Sequence, residues 1–420
     1  MKNSIVIMAG GQGTRLSEKL KGTPKSLAPI GTKTILDYQI DHLNSYKNMD
    51  IHFCLGYGSD QILKHLSKTN LKFSYFIEKE PLGTYGALYQ SKKFLNDKFF
   101  VLFGDVITNF EIDFGFREFK NSEADFLIVS RYTDHPEDSD LVEFDNKKRV
   151  FKISKNNSYT NITSPIGNTG LFYGKSSSLK KYTKNTKPDI FKNYLGENLE
   201  KLTVKTLLSN SYIKDLGTEE RLENESKNLE FKLTPKSKIA FFDRDETLIH
   251  NNEKNIISDL KFKKNALSLI EKLHKENYSV FLVTNQPGVA KGFCSLNDVE
   301  NFHNSIQNYL ISNKIKPFEQ IKFCPHHPEK GHSGERVELK IICKCRKPEN
   351  GLIEEIFSEF NLRNKKLELL FIGDMISDFE LSKKYESNFL LIKSSFTDLK
   401  MAKELNLKIF KSLQEIQDYI

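Results

Sequence analysis

The sequence predicts an α/β protein made of two doubly wound, mainly parallel-sheet domains. Three observations favour this fold class. Short apolar runs alternate with amphipathic stretches of helical period in two separate parts of the chain. Several apolar runs end directly in polar or acidic residues, as buried parallel strands do at the edge of a sheet where ligands bind. The length of 420 residues allows two or three domains that each bury a core.

The alternation lapses once, in a lysine-rich segment that carries Pro235, and this lapse predicts a domain boundary. We expect a first domain at 1–229, a linker at 230–237 and a second domain at 238–420. Strands are predicted at 4–8, 51–55, 72–77, 99–103, 125–130, 239–243, 279–284, 319–323, 367–372 and 388–392. Helices are predicted at 34–46, 59–68, 84–95, 218–229, 264–275, 296–312, 349–360 and 376–384.

Composition argues against several classes of function. The 63 Lys and Arg residues exceed the 55 Asp and Glu, but they are scattered without interleaved aromatic residues, so we expect no nucleic-acid partner. No apolar run approaches the roughly 18 residues that span a bilayer, and the first apolar run is too short for a signal-peptide core, so we expect no membrane partner. Five cysteines do not make a disulfide framework in so long a chain, which favours a reducing cytoplasm. The oligomeric state has no signal in the sequence.

The second half opens on an acidic pair. The apolar residues 239–242 run straight into Asp243 and Asp245, which flank Arg244. Two carboxylates one residue apart repel each other unless a cation or a proton lies between them, so the pair predicts either Mg²⁺ or a perturbed pKa. A strand that ends in a solvated acidic turn is the alternative, and the motifs further along the chain weigh against it.

Those motifs also stand at predicted strand ends or ahead of a helix. They are Thr284-Asn285-Gln286, then Arg346-Lys347-Pro348, then Gly373-Asp374 with Asp378. Each could be an ordinary polar strand end. In this order, however, the set resembles the four motifs of the haloacid-dehalogenase-type phosphatases.

The resemblance implies that Asp243 is the nucleophile and that Asp245 protonates the leaving oxygen and then activates water. The resemblance also implies that Thr284 and Lys347 hold the phosphoryl oxygens. The amide of Asn285 can bind phosphate, and Arg244 and Arg346 are predicted phosphate contacts because the few arginines of this chain fall in motifs. The residues implied to hold Mg²⁺ are Asp243, Asp374 and Asp245, the last through its backbone carbonyl, with Asp378 in a supporting role. The family usually has glycine at the position of Glu246, so altered phosphatase activity is one expectation.

A cysteine-rich segment follows in the same half. Three thiols and one imidazole, from Cys324, His326, Cys343 and Cys345, suit a structural Zn²⁺ better than free buried thiols do, and His326 is favoured over His327. The segment leads directly into Arg346 and Lys347, so its predicted role is to position those cations. With this segment, the second half closely resembles the D-glycero-D-manno-heptose 1,7-bisphosphate phosphatases and the related histidinol-phosphatases.

The first half opens on a glycine loop, Gly10-Gly11-Gln12-Gly13-Thr14-Arg15-Leu16, followed by Pro24-Lys25. Glycines let backbone N–H groups close on phosphate oxygens, and the two cations add charge where a nucleoside triphosphate would lie. A tight strand-to-helix turn is the alternative. The motif resembles the opening of the sugar-1-phosphate nucleotidyltransferases.

Further motifs extend that resemblance over about residues 3–225. Leu82, Gly83 and Thr84 lie in a stretch that resembles the nucleotide-base loop; Asp105 and Asp215 resemble the Mg²⁺ carboxylates; Asn168 resembles a sugar contact. The family's Glu-Lys-Pro is Ser-Lys-Asn here, so only Lys155 carries over as a phosphate contact. Arg15 and Lys25 are then expected to offset triphosphate charge while a sugar 1-phosphate attacks the α-phosphorus.

Together the halves predict a bifunctional enzyme of nucleotide-activated heptose synthesis for bacterial surface polysaccharide. The second half would remove the 7-phosphate, and the first would transfer GMP from GTP, the guanine preference being implied by resemblance to heptose 1-phosphate guanylyltransferases. Two alternatives stay open. One is a hexose 1-phosphate nucleotidyltransferase, such as one for mannose, fused to a phosphatase of other specificity. The other is a second half that is a non-catalytic binding module.

Overall fold

The computed structural model describes residues 2–11, 20, 22–133, 139–155, 166–184, 187–226, 229, 233, 237–363 and 365–420. The chain divides into two compact units. Most residues before 235 form the first unit, and residues 236–420 form most of the second. Within the described ranges, no helix has the length and apolar character needed to cross a bilayer.

The first unit alternates strands and helices before it adds a group of strands. Its strands are β1 (Ser4–Ala9), β2 (Pro29–Ile30), β3 (Lys33–Thr34), β4 (Asp50–Leu55), β5 (Phe73–Ile77), β6 (Lys98–Phe103), β7 (Val106–Thr108), β8 (Phe126–Tyr132), β9 (Asp140–Phe144), β10 (Val150–Lys155), β11 (Ile166–Lys175), β12 (Val204–Leu208) and β13 (Ile213–Asp215). Its α-helices are α1 (Ile35–Leu43), α2 (Ser59–Leu66), α3 (Gly83–Ser91), α4 (Ile112–Ser122) and α5 (Glu219–Ser226), and a π-helix spans Ile190–Leu195.

The large sheet of this unit has the order β10-β9-β11-β6-β1-β4-β5; β8 joins it by pairing with β11, and β12 pairs with β8. Strand β1 pairs in parallel with β4 on one side and β6 on the other. Its residues alternate between two apolar cores: Ile5 and Ile7 face one, and Val6 faces the other. This explains why β1 is apolar throughout, since both faces of the sheet are covered. The chain order reverses at β1, so the loops that follow β1 and β6 lie side by side.

The antiparallel strands of this sheet were not predicted. Strand β11 pairs antiparallel with β6, and β9 pairs antiparallel with β10. Strand β10 carries two lysines and exposes much of its length, and β11 contains three glycines, so neither has the apolar run that marks a buried strand. Pairing with neighbouring strands determines β10 and β11 more than the β-strand propensity of their own residues does.

The second unit is a parallel α/β sheet with helices between its strands. Its strands are β14 (Lys238–Phe242), β15 (Tyr278–Asn285), β16 (Gln320–Cys324), β17 (Glu368–Gly373), β18 (Ser387–Ile392) and β19 (Ile409–Phe410). Its α-helices are α6 (Ala266–Lys275), α7 (Leu296–Ser312), α8 (Gly351–Glu359), α9 (Ile376–Ser382), α10 (Leu399–Glu404) and α11 (Leu413–Tyr419).

The order of this sheet is β16-β15-β14-β17-β18-β19, and every pairing in it is parallel. Ala240 and Phe242 of β14 face the core formed with α6 and α7, whereas Phe241 packs on Phe281 and Phe371 on the opposite face. The chain order reverses between β14 and β17, which brings the ends of β14, β15 and β17 to one edge. The predicted fold class, two mainly parallel α/β units, is confirmed.

Candidate active sites

A cavity of about 480 Å³ opens at the carboxyl ends of β1 and β6 in the first unit. This volume is in the range of small-molecule sites. Several predicted residues line it, namely Gly10, Gly11, Lys25, Gly83, Thr84 and Asp105. A Cβ on Gly10 would lie 2.5 Å from Glu78 Oε1, the movable end of that side chain, and 3.3 Å from the backbone of Gly56, so this close approach favours glycine.

A cluster of charges lies at one end of this cavity. Lys25 Nζ donates a hydrogen bond to Asp105, and the backbone N–H of Leu216 donates to the carbonyl of Asp105 at 2.8 Å. Arg221 contacts the Asp215 carboxylate at 3.0 Å. Burial raises the pKa of Asp215, and the charge of Asp105 raises it further, against the opposing effect of the two cations. The two predicted carboxylates are therefore close neighbours, as a shared cation requires.

Residues 189–194, a later segment of the chain, fix the position of the predicted base loop. Thr84 Oγ1 donates to Asp189 Oδ2 at 3.0 Å, and the N–H of Ile190 donates to Thr84 Oγ1 at 2.9 Å. Tyr85 of the same helix stacks on Tyr194, with ring centroids 3.7 Å apart. The Thr84 hydroxyl thus anchors the loop to the start of the π-helix.

Several other predicted site residues of the first unit do not line the cavity or lie outside the described residues. The cavity lining, as far as the described residues form it, does not include Leu82, Lys155, Asn168 or Asp215. Lys155 ends β10 and is exposed, and Asn168 Oδ1 accepts a hydrogen bond from the N–H of Gly170 at 2.9 Å. Gly13, Thr14 and Arg15 lie outside the described residues.

In the second unit, the strand ends bring together the predicted acids and one lysine. Lys347 Nζ lies 2.5 Å from Asp243 Oδ1 and 2.6 Å from Asp378 Oδ1. Asp374 completes a group of three carboxylates whose nearest oxygens all lie within 4.8 Å of one another. Asp378, which the sequence assigned only a supporting role, is a full member of this group.

One lysine does not neutralise three buried carboxylates. Burial raises the pKa of Asp243 to about 7, and the charges of Asp378 and Asp374 add to the rise while Lys347 opposes it. Burial likewise raises the pKa of Asp374 to about 6, although a hydrogen bond from Ser394 opposes the rise. The cluster is therefore short of positive charge, and its donor set of three carboxylates fits a divalent cation.

Arg244 does not have the phosphate-binding role predicted for it. Its side chain is 0% exposed, and its guanidinium donates to both oxygens of Asp245, to Asn255 and to Gln286. Sequence reasoning missed this because only the fold brings its partners Asn255 and Gln286 to Arg244. The Asp245 carboxylate is turned toward Arg244 and Gln286, so a metal-binding role for Asp245 would fall to its backbone carbonyl.

The other predicted phosphate contacts surround Lys347. Asn285 Oδ1 accepts from the N–H of Lys347 at 2.9 Å, and its Nδ2 donates to the Lys347 carbonyl at 3.1 Å. Asn285 thus positions Lys347 in the structure. Arg346 is half-buried and donates to the carbonyl of His326 at 3.2 Å. Thr284 is 1% exposed and is the last residue but one of β15.

Glu246 has the left-handed backbone conformation that its position requires, with φ of 55°. Its carboxylate contacts Lys263 Nζ at 2.7 Å and accepts from the N–H of Asn251 at 2.9 Å. Burial acts to raise the pKa of Glu246, but these two contacts lower it overall. The carboxylate is therefore neutralised locally by Lys263.

The four predicted ligands Cys324, His326, Cys343 and Cys345 form a compact group. Their sulfur and Nδ1 atoms lie 3.2–3.6 Å apart in the contacts between them. Burial raises the pKa of Cys345 to about 11, so this thiol holds its proton unless a metal displaces it. His327 Nδ1 instead contacts Glu329. The group can hold a metal ion.

Several residues of both sites were missed from the sequence. Glu78, Phe103 and Lys187 line the first cavity. Glu78 follows β5 directly, so its place at a strand end was a usable signal. Ser394 Oγ donates to Asp374 Oδ2 at 2.6 Å, and nothing in its local sequence marks it.

Comparison with known proteins gives two family matches. Residues 4–231, more than half of the chain, match the family described as nucleotidyl transferase, and residues 238–414 match that described as polynucleotide kinase 3 phosphatase. Over 223 residues the chain is 29% identical to D-glycero-alpha-D-manno-heptose 1-phosphate guanylyltransferase of Campylobacter jejuni, covering 51% of this chain and 95% of that protein.

Two further relatives complete the comparison. D-glycero-beta-D-manno-heptose-1,7-bisphosphate 7-phosphatase of Rhodopseudomonas palustris is 30% identical over 150 residues, covering 36% of this chain and 79% of that protein. A crystal structure of HddC from Yersinia pseudotuberculosis is 25% identical, covers 54% of this chain and 99% of that chain, and superposes with a TM-score of 0.46. The chain is therefore an enzyme that belongs to the nucleotidyl transferase family through residues 4–231 and to the family of the heptose-bisphosphate 7-phosphatases through its second part.

Proposed function

We propose that this chain makes a nucleotide-activated heptose in two steps. The second unit removes the 7-phosphate from D-glycero-D-manno-heptose 1,7-bisphosphate. The first unit transfers GMP from GTP to the resulting heptose 1-phosphate and releases pyrophosphate. The product of one step is the acceptor of the other, which gives the fusion a chemical rationale. The domains would be 1–229 and 238–420, joined by 230–237.

The observation that carries the proposal is the presence in one chain of two separate clusters of acids and cations at strand ends, one in each unit. Lys25 with Asp105 and Asp215 forms the first, beside a cavity of nucleotide size. Lys347 with Asp243, Asp374 and Asp378 forms the second. Charge neutralisation is the main contribution that a protein makes to phosphoryl and nucleotidyl transfer.

In the first unit, an oxygen of the heptose 1-phosphate attacks the α-phosphorus of GTP, and the bond from that phosphorus to the bridging oxygen of pyrophosphate breaks. Lys25, and Arg15 with it, would offset the negative charge that the pyrophosphate carries away. Gly83 and Thr84 would form the wall against the base, while Asn168 and Lys155 would serve the sugar phosphate.

The preference for GTP has support from Glu78. This half-buried carboxylate lines the cavity next to the base loop, and its Oε2 accepts the N–H of Leu82 at 2.7 Å. Guanine presents two adjacent donors, N1–H and the 2-amino group, which match a carboxylate. Uracil and thymine flank their single N–H with carbonyl oxygens, which a carboxylate repels. The guanylyltransferase relative points the same way.

In the second unit, Asp243 attacks phosphorus and forms an aspartyl-phosphate, while the bond between phosphorus and the C7 oxygen breaks. Asp245 gives its proton to the departing oxygen and then takes one from the water that hydrolyses the intermediate. Lys347 and the hydroxyl of Thr284 would hold the phosphoryl oxygens. Asp243 returns to a free carboxylate when inorganic phosphate leaves.

Two kinds of metal suit the residues present. Mg²⁺ suits the acids of both units, where it would neutralise charge on the reacting phosphates. Asp105 and Asp215 would hold it in the first unit; Asp243, Asp374, Asp378 and the carbonyl of Asp245 would hold it in the second. Zn²⁺ suits Cys324, His326, Cys343 and Cys345, because its four ligands at about 2.3 Å from the metal lie roughly 3.7 Å apart. Reduced thiols of this kind suit a cytoplasmic enzyme.

The test is a substrate panel on the purified full chain. Pyrophosphate release is measured with GTP, ATP, UTP and CTP against the α- and β-anomers of heptose 1-phosphate and against mannose 1-phosphate. Phosphate release is measured with heptose 1,7-bisphosphate. We expect pyrophosphate only with GTP and the α-heptose, and phosphate from the bisphosphate. Activity only with a hexose would remove the heptose assignment, and absence of phosphate release would make the second unit a non-catalytic module.

A further inference from the structure

The side chain of Gln286 connects three residues of the proposed phosphatase site. Its Nε2 donates to Asp245 Oδ2 at 2.7 Å and to Thr284 Oγ1 at 3.1 Å. Its Oε1 accepts from Arg244 at 2.6 Å and from Asn255 Nδ2 at 3.3 Å. Gln286 is 2% exposed, and both hydrogens of its amide nitrogen have an acceptor. The amide is therefore fully engaged inside the protein.

The orientation of this amide follows from its partners. Arginine is only a donor, so Oε1 must face Arg244. Nε2 must then face Asp245 and Thr284, and the opposite flip would put an amide nitrogen against a guanidinium. Because Gln286 donates to Thr284 Oγ1, the hydroxyl hydrogen of Thr284 is directed elsewhere, where it can donate to a phosphoryl oxygen.

Buried neighbours hold Gln286 and Arg244 in place. Arg244 donates to Asn255 Oδ1 at 2.5 Å and lies 3.1 Å from His303 Nε2, and its guanidinium lies over the ring of Phe302 at 5.0 Å. Burial, together with the charge of Arg244, keeps the pKa of His303 well below its usual value, so His303 Nε2 accepts rather than competes as a cation. A buried and fully satisfied polar network of this kind is rigid.

We propose that Gln286 is a positioning residue that holds the carboxyl of Asp245, the proposed acid, in one orientation and frees the Thr284 hydroxyl to contact the phosphate. This inference rests on the proposed phosphatase function of the second unit. Gln286 touches neither substrate nor metal in this role. Its contribution is greatest where the leaving oxygen must be protonated, because misplacing an acid by about 1 Å costs on the order of 100-fold in rate.

The test compares two substrates on the same enzyme preparation. Heptose 1,7-bisphosphate has an alkoxide leaving group that needs the acid, whereas p-nitrophenyl phosphate has a stable phenolate that does not. The variants are Gln286→Met, which keeps the volume but removes the hydrogen bonds, and Gln286→Ala. The matched control is Gln307→Met, because Gln307 is 1% exposed and makes two hydrogen bonds to the backbone of Phe318 away from the site.

We expect kcat/KM for the sugar phosphate to fall roughly 100-fold in both Gln286 variants and kcat/KM for the aryl phosphate to fall at most about 10-fold. The ratio of the two substrates then drops about 10-fold or more. This ratio does not depend on how much of the preparation is folded, and the control variant Gln307→Met should change the ratio less than about 2-fold. An unchanged ratio in the Gln286 variants, an equal change in Gln307→Met, or loss of both activities in stably folded Gln286 variants would overturn the inference. If the wild-type enzyme hydrolyses neither substrate, the phosphatase proposal fails and the inference fails with it.

Discussion

The proposed nucleophilic attack needs the Asp243 carboxylate in its charged form, but burial of that charge lowers the stability of the second unit. The pKa of Asp243, about 7, and that of Asp374, about 6, lie above the usual value of 3.8, because burial and mutual repulsion penalise the charged forms. A raised acid pKa stabilises the fold at low pH, and this stabilisation is lost as pH rises from about 4 through 7. We expect metal-free protein to lose on the order of 1–3 kcal/mol of unfolding free energy in the second unit between pH 4.5 and 8.

Asp243→Asn should abolish phosphate release and also shrink this pH-dependent loss. The measurement is urea denaturation at both pH values in EDTA and again with Mg²⁺, which should restore stability at pH 8 more than at pH 4.5. Asp259→Asn, an exposed acid of the same unit, is the control. A stability of metal-free wild type that rises with pH would refute this account of the acid cluster.

Glu246 tests whether the departure from the family's glycine harms catalysis. Its carboxylate is paired with Lys263, so we expect phosphatase kcat/KM to change less than about 3-fold in Glu246→Gly and Glu246→Ala. The two variants should differ in their free energy of unfolding. Both lose a partly exposed ion pair worth up to about 1 kcal/mol, but alanine keeps the strain of a left-handed backbone, roughly 1 kcal/mol. Denaturation midpoints and steady-state rates measure both effects; a 10-fold gain in activity in Glu246→Gly would mean that the carboxylate hinders phosphate.

Substitution of Glu78 tests the proposed preference for guanine over other bases. Glu78→Gln replaces one acceptor oxygen by a donor, so it should lose one of the two matched contacts with guanine. We expect kcat/KM with GTP to fall about 10-fold or more, and the ratio of GTP to UTP to fall with it. Pyrophosphate release with both triphosphates measures this change, and Glu80→Gln, on the neighbouring exposed side chain, is the control. Unchanged discrimination would assign base recognition to other residues.

Single residues show where sequence reasoning reaches its limit. Asp243 and Asp374 were identified because strand ends in parallel sheets converge, and Lys347 because its motif resembles that of the phosphatases. The structure brings the three residues together. The burial of Arg244 was not predictable, because its partners Asn255, Gln286 and His303 are scattered over 60 residues and only the fold assembles them. Asp378 was underestimated because a residue one helical turn past a strand end has no fixed direction in the sequence.

At the level of elements, strong periodicity made most parallel strands and most long helices predictable, but the parallel strand β12 and helix α4 were missed. Strand β1 and helix α7 follow their predicted ranges within one residue. Short or half-exposed elements were missed, including β7, β13 and the antiparallel group β9 to β11. Asp215 illustrates the consequence: the resemblance named it, but its place beside Asp105 depends on the pairing of β13 with β7.

The cysteine group is an element whose proposed role is to position Arg346 and Lys347. Replacing one ligand, in Cys345→Ser, should weaken metal binding and make the segment that leads to Lys347 less rigid. We expect zinc content to fall, phosphate release to drop 10- to 100-fold, and pyrophosphate release from GTP to stay within about 2-fold. Metal analysis and the two assays measure this. Cys54→Ser, which changes a buried thiol of the first unit, is the control for zinc content and phosphate release; normal phosphate release from zinc-free Cys345→Ser would remove the positioning role.

At the scale of the whole molecule, the proposal is that two phosphate chemistries in one chain act in series on one sugar. The composition argued against a nucleic-acid partner, but it does not identify the substrate. The substrate assignment depends on the pair of units, since each unit alone leaves its substrate open. Variants that disable one unit can therefore place each step, with Asp243→Asn blocking the first and Asp105→Asn the second.

The most direct test is to supply D-glycero-D-manno-heptose 1,7-bisphosphate, GTP and Mg²⁺ to the purified chain and to follow the products by mass spectrometry. The account predicts GDP-heptose from the intact enzyme, unreacted bisphosphate with Asp243→Asn, and accumulated heptose 1-phosphate with Asp105→Asn. Failure of the intact enzyme to form GDP-heptose, or its formation by Asp243→Asn at the wild-type rate, would contradict it.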